Sequence, residues 1–254
     1  MILDLFKLDG KVALVTGAGQ GLGQGMALAL AEAGSDIASL DRTGCEGTCE
    51  SIRAMGRKYH ESVVDLREAS VEHLNEVVIN VVKELGRIDI LVNNAGTIRR
   101  TPAVDFSETD WDDVLQINLK AAFFLAQAAG RVMMSQGGGK IINVASMLSF
   151  QGGITVPSYT ASKSGIAGIT RALANEWAKN NINVNAIAPG YMATDNTAAL
   201  RADPNRSTSI LDRIPAARWG TPDDLKGTVV FLASSASDYL NGAIIPVDGG
   251  WLAR

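Results

Sequence analysis

The sequence predicts a doubly wound parallel α/β fold, with a single sheet of about seven strands and helices on both faces. Three observations carry that expectation. Short apolar, β-branched runs recur along the chain, longer stretches of helical periodicity alternate with them, and a glycine-rich turn sits between the first run and the first helix. Near-continuous apolar strands mean burial on both faces. Strand–helix alternation of this kind specifies parallel strands joined by right-handed crossovers.

Taken in order, strands are expected at 12–16, 37–40, 62–64, 88–92, 140–144, 182–187 and 243–247. Helices are expected at 22–33, 45–55, 71–85, 111–135, 159–179 and 223–233. Between Pro189 and Thr221 no strand pattern appears, and a long irregular insertion in a compact domain is usually a lid or binding loop. Residues 1–254 are therefore expected to form one dinucleotide-binding catalytic domain with a substrate loop at about 190–220.

Composition narrows the function classes. The chain has 254 residues, 46% of them hydrophobic and 20% charged, enough for one sizeable core without a second domain. Its net charge is −4 and its lysines and arginines are dispersed, which argues against a nucleic-acid binder with its basic stripe. No window reaches the length of a membrane span, and the opening apolar run is broken by Asp4 and Lys7, so it does not read as a secretory signal. Cys45 and Cys49 are read as reduced thiols, and with His60 and His73 they form no metal cluster. A cytoplasmic enzyme without a metal is expected.

The first strand runs into Thr16-Gly17-Ala18-Gly19-Gln20-Gly21-Leu22-Gly23. Glycine there lets the backbone approach a pyrophosphate, and the following helix N-terminus offers unpaired N–H groups to the anion. Gly17, Gln20, Gly21 and Leu22 are the candidate contacts. Asp41 closes the second strand, where a carboxylate accepts hydrogen bonds from the adenosine ribose hydroxyls and repels a 2′-phosphate, so NAD is expected over NADP. Arg42 beside it is the residue that would receive such a phosphate. Asp65, with Leu66 after it, ends the third strand at the adenine side. Asn93, Ala95 and Gly96 follow the fourth strand, at the carboxyl edge where ligands bind in open α/β sheets.

Chemistry enters at Tyr159-Thr160-Ala161-Ser162-Lys163. On a helix, positions i and i+4 share a face, so the Lys163 cation lies near the Tyr159 phenol. An ordinary phenol titrates near pH ~10, and each unit of depression requires about 1.4 kcal/mol of preferential anion stabilisation. Lys163 and an oxidised nicotinamide are two positive charges able to supply it. The same face continues through Ile166, Thr170, Leu173 and Trp177, an apolar stripe on which a lysine needs a partner. Ser146 follows the fifth strand at the same carboxyl edge as the glycine turn. Asn118 lies on the face of Val114 and Leu115, where an amide is costly to bury unless satisfied.

Together, Thr16-Gly17-x-x-x-Gly21-x-Gly23, Asn93-Asn94-Ala95-Gly96, Asn118, Ser146, Tyr159-x-x-x-Lys163 and Pro189-Gly190 resemble the short-chain dehydrogenase/reductase family, in order and over the whole chain. The resemblance implies a Rossmann-type fold. It implies Tyr159 as general acid/base, Lys163 as its activator and a ribose ligand, Ser146 as the hydroxyl that holds the substrate oxygen, and Asn118 as the anchor of a proton-relay water. It further implies that Pro189, Gly190, Met192 and Thr194 contact the nicotinamide, and that the protein is a homotetramer. The stretches 146–153 and 185–194 resemble the branch acting on sugar acids. Such a small-molecule substrate carries a carboxylate, for which Arg99 or Arg100 is the expected ligand. A neighbouring polyol dehydrogenase, a reductase of carrier-protein thioesters and a non-catalytic nucleotide sensor are the competing readings.

Overall fold

Strand β1 (Val12–Thr16) is the centre from which the chain winds in both directions. In the computed structural model, which describes residues 1–254, seven parallel strands form one sheet in the order β3-β2-β1-β4-β5-β6-β7. The remaining strands are β2 (Asp36–Asp41), β3 (Tyr59–Val63), β4 (Ile90–Asn93), β5 (Gly139–Val144), β6 (Ile182–Pro189) and β7 (Ile244–Val247). The chain moves outward from β1 to β3 and then crosses back to lay β4 on the other side of β1, with Ala13 opposite Ile90. That reversal opens a crevice beyond the carboxyl ends of β1 and β4.

Alternation along each strand explains the two layers of core. Val12 and Leu14 of β1 join a cluster with Leu74, Val77 and Val81 of α3 (Val71–Leu85) and Leu125 and Ala129 of α5 (Ala122–Gln136). Ala13 and Val15 face the other way, onto Met26 and Leu30 of α1 (Gly21–Glu32) and Leu225 and Val229 of α9 (Asp223–Ala233). All five residues of β1 are buried. The sheet is therefore held at two faces.

Helix ends follow local chemistry. Ser70 caps α3 by accepting from His73 N at 3.2 Å, and Gly86 ends it at φ 87°. Proline at the first turn opens α6 (Pro157–Trp177), where its missing N–H is no loss. The remaining helices are α2 (Glu46–Ala54), α4 (Glu108–Leu115), α7 (Ala198–Ala202) and α8 (Pro204–Leu211).

Three expectations are corrected. The third strand starts earlier, at Tyr59, and is a half-exposed edge strand that carries too few apolar residues to be marked by them. The helix expected over 111–135 is two helices, α4 and α5, joined by a π turn at Gln116–Ala121. The stretch expected to be irregular contains two helices, α7 and α8, the second started by Asp203, which accepts from the N–H groups of Asn205 and Arg206, with Pro204 at the first position.

One buried carboxylate holds the base of the sheet. Asp89, 5% exposed, accepts from Val12 N at 3.0 Å and from Arg87 Nε and Nη2, both at 2.6 Å, with Lys11 Nζ at 3.3 Å. Asp89→Ala leaves these donors without their acceptor and is expected to lower the unfolding free energy by about 3 kcal/mol, measured by urea denaturation.

Candidate active site

The crevice is a cleft of about 1120 Å³ running from the glycine turn to α8. Its nucleotide end is shaped by what cannot fit there. Gly17 has φ +66°, and a Cβ on it would lie 2.9 Å from Asn94 Nδ2, while a Cβ on Gly23 would overlap the Gly17 carbonyl. The cradle thus keeps bare backbone at the N-terminus of α1, which fits a pyrophosphate. Asn94 fixes its shape by donating from Nδ2 to the carbonyls of Thr16 and Gly17, at 2.9 and 3.2 Å. Thr16 Oγ1 returns the contact, accepting from the N–H groups of Asn94 and Ala95.

Asp41 stands at the end of β2, where its carboxylate accepts from Gly19 N at 2.9 Å and Arg42 N at 2.7 Å. Gln20, Gly21, Leu22, Asp65, Leu66, Ala95 and Gly96 line the same cleft, as do Pro189, Gly190, Met192 and Thr194. Asn93 does not. Its side chain turns into the core, donating to Ala122 O and Asn143 Oδ1, both at 3.0 Å, and its neighbour Asn94 faces the cleft instead. Adjacent residues at a strand end point to opposite sides, so the expected Asn93 contact with the cofactor is not one its side chain can make.

The reacting end lies where α6 meets the tip of β5. Tyr159 and Lys163 share a face of α6, with Lys163 Nζ 5.6 Å from the Tyr159 ring centroid. Lys163 is 4% exposed and donates to Val144 O at 2.7 Å, the partner that its apolar stripe requires. Burial holds this ammonium down at about 8. Burial also pushes the Tyr159 phenol above its ordinary value, against the pull of the Ser146 hydroxyl and the Arg100 charge. The protein's own groups therefore set the phenol high rather than low, because desolvation of an anion outweighs the neighbouring donors and charge.

Ser146 is the cap of a short 3-10 turn, its Oγ accepting from Leu148 N at 3.2 Å. Ser149, which the sequence reading did not single out, ties the two halves of the site together. Its hydroxyl donates to Lys163 O at 2.7 Å and accepts from Ser146 N at 3.3 Å. Asn118 sits behind the cleft at 1% exposure, accepting from Thr97 N and donating to Thr97 O and Ser162 Oγ. Both of its amide protons are committed.

Of the two adjacent arginines, Arg99 is engaged by Asp110 and Asp113, at 3.1 and 3.2 Å, and by Thr97. Arg100 bonds only the Asn196 carbonyl, at 3.2 Å, and its charge reaches Tyr159. The expectation for Arg99 as a carboxylate ligand is thereby displaced by ion pairs made across α4.

This geometry has relatives. A family model described as enoyl-(acyl carrier protein) reductase matches residues 17–252. The 2-dehydro-3-deoxy-D-gluconate 5-dehydrogenase of Escherichia coli (strain K12) is 62% identical over 255 residues, covering 100% of both chains. Among solved structures, one from Agrobacterium tumefaciens described as a 2-deoxy-D-gluconate 3-dehydrogenase with bound NADP gives a TM-score of 0.92 at 51% identity, covering 99% of this chain and 100% of its own. A gluconate 5-dehydrogenase from Burkholderia cenocepacia, in complex with NADP and tartrate, gives 0.95 at 38% identity and covers 100% of each chain.

The crowding at the glycine turn makes a direct expectation. Gly23→Ala abolishes nucleotide binding, read by NADH fluorescence titration, because its Cβ displaces the Gly17 carbonyl. Gly47→Ala, where a Cβ in α2 meets nothing within 4 Å, retains binding.

Proposed function

The chain belongs to the short-chain dehydrogenase/reductase family, and from that premise we propose that it interconverts the 5-keto and 5-hydroxy forms of a 3-deoxy sugar acid. The observation that carries the reading is the convergence of Tyr159, Ser146 and Lys163 with a glycine-walled nucleotide cradle in one cleft. The choice of substrate follows the relative that shares 62% of the sequence across both full chains, against 47% or less for the gluconate 5-dehydrogenases.

When bound, the nicotinamide nucleotide supplies or receives the hydride. In reduction the Tyr159 hydroxyl delivers a proton to the carbonyl oxygen, and in oxidation the phenolate removes it. Ser146 donates to the same oxygen, and a positioned donor at developing charge contributes a few kcal/mol. Lys163 favours the phenolate by its charge and reaches the ribose. Asn118, with its side chain committed to Thr97 and Ser162, anchors the relay water through its backbone in the π turn. Arg100 is the substrate-facing guanidinium of the adjacent pair. Residues 190–220 form the substrate lid of a single domain.

NAD is the preferred cofactor in this reading, supported by the Asp41 carboxylate held at the ribose corner by Gly19 N. Arg42, next to it, is the feature that favours NADP, the nucleotide bound in the Agrobacterium structure. The protein is a cytoplasmic homotetramer in the same reading, the assembly being supported by a half-buried apolar face of Leu115, Leu119, Phe123, Phe124 and Ile169 along the outer sides of α4, the π turn, α5 and α6. No helix is long and apolar enough to cross a membrane.

Steady-state kinetics with 3-deoxy-2,5-dioxo-gluconate and 5-keto-gluconate, each with NADH and NADPH, test the proposal. The expected result is a higher kcat/KM for the deoxy acid and for NADH, and a loss of roughly 10²- to 10⁴-fold in Tyr159→Phe. Preference for 5-keto-gluconate removes the substrate assignment, preference for NADPH the cofactor assignment, and full turnover by Tyr159→Phe the mechanism. Arg100→Leu is expected to raise the substrate KM more than the NADH KM. It also removes a charge that lowers the Tyr159 phenol, so the rise of oxidative kcat/KM with pH moves to higher pH.

A further inference from the structure

The lid carries charge that the chemistry above does not use. Arg206, Ser209, Ile210 and Arg213 line the cleft from α8 and the turn that follows it. Arg206, Ser209 and Ile210, at i, i+3 and i+4, share one face of α8, and Arg213 follows in the turn after it. Ile210, 3% exposed, fixes the direction of that face by packing with Met147, Ile214 and Trp251. The arginine ion pairs of the chain are those of Arg57, Arg67, Arg87, Arg99 and Arg218. Arg206 and Arg213 stand outside them.

Arg213 is the one held in place. Its guanidinium carbon lies 4.1 Å from the centroid of the Trp251 ring. Stacking on an indole restrains the planar group and leaves its N–H edge free for a carboxylate. The indole is itself fixed, being 5% exposed, packed against Tyr191 with ring centroids 4.8 Å apart, and donating from Nε1 to Gln151 Oε1 at 3.3 Å. Gln151 belongs to the cleft wall that begins at Ser146, so the stack bridges the lid to the catalytic side. A guanidinium restrained in this way loses less freedom on binding than a solvated one.

We infer that Arg213 is the ligand of the substrate carboxylate, pairing with it bidentately through the free edge of the stacked guanidinium, while Arg100 acts at the reacting end beside Tyr159. The inference rests on the sugar-acid reading given above. Arg206 adds positive charge from α8 without a comparable support.

The test uses the full-length enzyme with NADH and measures kcat/KM for 3-deoxy-2,5-dioxo-gluconate and for its methyl ester, which keeps the reacting carbonyl and removes the charge. Wild type is expected to prefer the acid. In Arg213→Leu the acid-to-ester ratio falls roughly 10- to 100-fold, the range for loss of a charge-assisted pair, with the change in the KM of the acid. Arg213→Lys recovers only part of the ratio, because an ammonium lacks the planar fork. A wild-type preference that persists in Arg213→Leu, or equal losses for acid and ester, overturns Arg213 as the ligand and leaves the sugar-acid reading standing. A wild type that turns over the ester as well as the acid likewise overturns Arg213 as the ligand, whereas a wild type that fails to turn over the acid removes the sugar-acid reading and this inference with it.

Discussion

The burial of the Lys163 ammonium against the Val144 carbonyl is the constraint on which the site depends. It pins α6 to the tip of β5, and so fixes where Tyr159 stands relative to Ser146. The position works against folding. An ordinary lysine keeps its proton to about 10.5, and this one only to about 8. Between those values the unfolded chain binds more protons, so this group's contribution to stability improves as pH rises through the window. Below about 8 the full desolvation penalty, on the order of 3 kcal/mol, is present. The surrounding core has to offset it.

Both signs of charge line the nucleotide end of the cleft, Asp41 and Asp65 with Arg42 and Arg67, while arginines outnumber Asp195 at the other end. Asp41 stands at the end of β2 with its carboxylate drawn in by two backbone N–H groups, whereas Arg100, Arg206 and Arg213 are gathered at the other end. An acidic protein thus presents a local positive field where an anionic substrate enters, and low-dielectric walls concentrate such a field. The tyrosine lies within it. Its phenol is kept high by burial and moderated by one of those same arginines, Arg100, so the positive field at this end of the cleft also acts on Tyr159.

The sheet and most of its helices were legible because apolar residues must fill both faces of each central strand, and that demand marks the sequence directly. Where burial is slight the mark fades. Strand β3 is at the edge, and α8 carries a single fully buried residue, Ile210, although the Asp203-Pro204 pair was a readable start signal. The pairing of Tyr159 with Lys163 was legible for a different reason, since one helix places them together. Asn93 against Asn94, and Arg99 against Arg100, were not resolvable. In each pair the neighbours differ only in which way they point, and that is settled by partners distant in sequence, Asn143 for one and Asp110 with Asp113 for the other. The desolvation that raises the Tyr159 phenol in the protein alone was not legible, because charges can be counted from a sequence and burial cannot.

The π turn at Gln116–Ala121 has a consequence for chain length. Each residue added to a helix rotates everything beyond it by about 100°, and a π turn holds one more residue than the α-helical turn it interrupts. Val114 before the turn and Leu125 after it both reach the interior, while Leu119 and Phe123 border the outer face. Removing a single residue from this segment would restore a continuous helix and swing one of those halves out of phase, carrying Asn118 away from Thr97. The segment is thereby intolerant of insertion or deletion in a way that a regular helix surface is not.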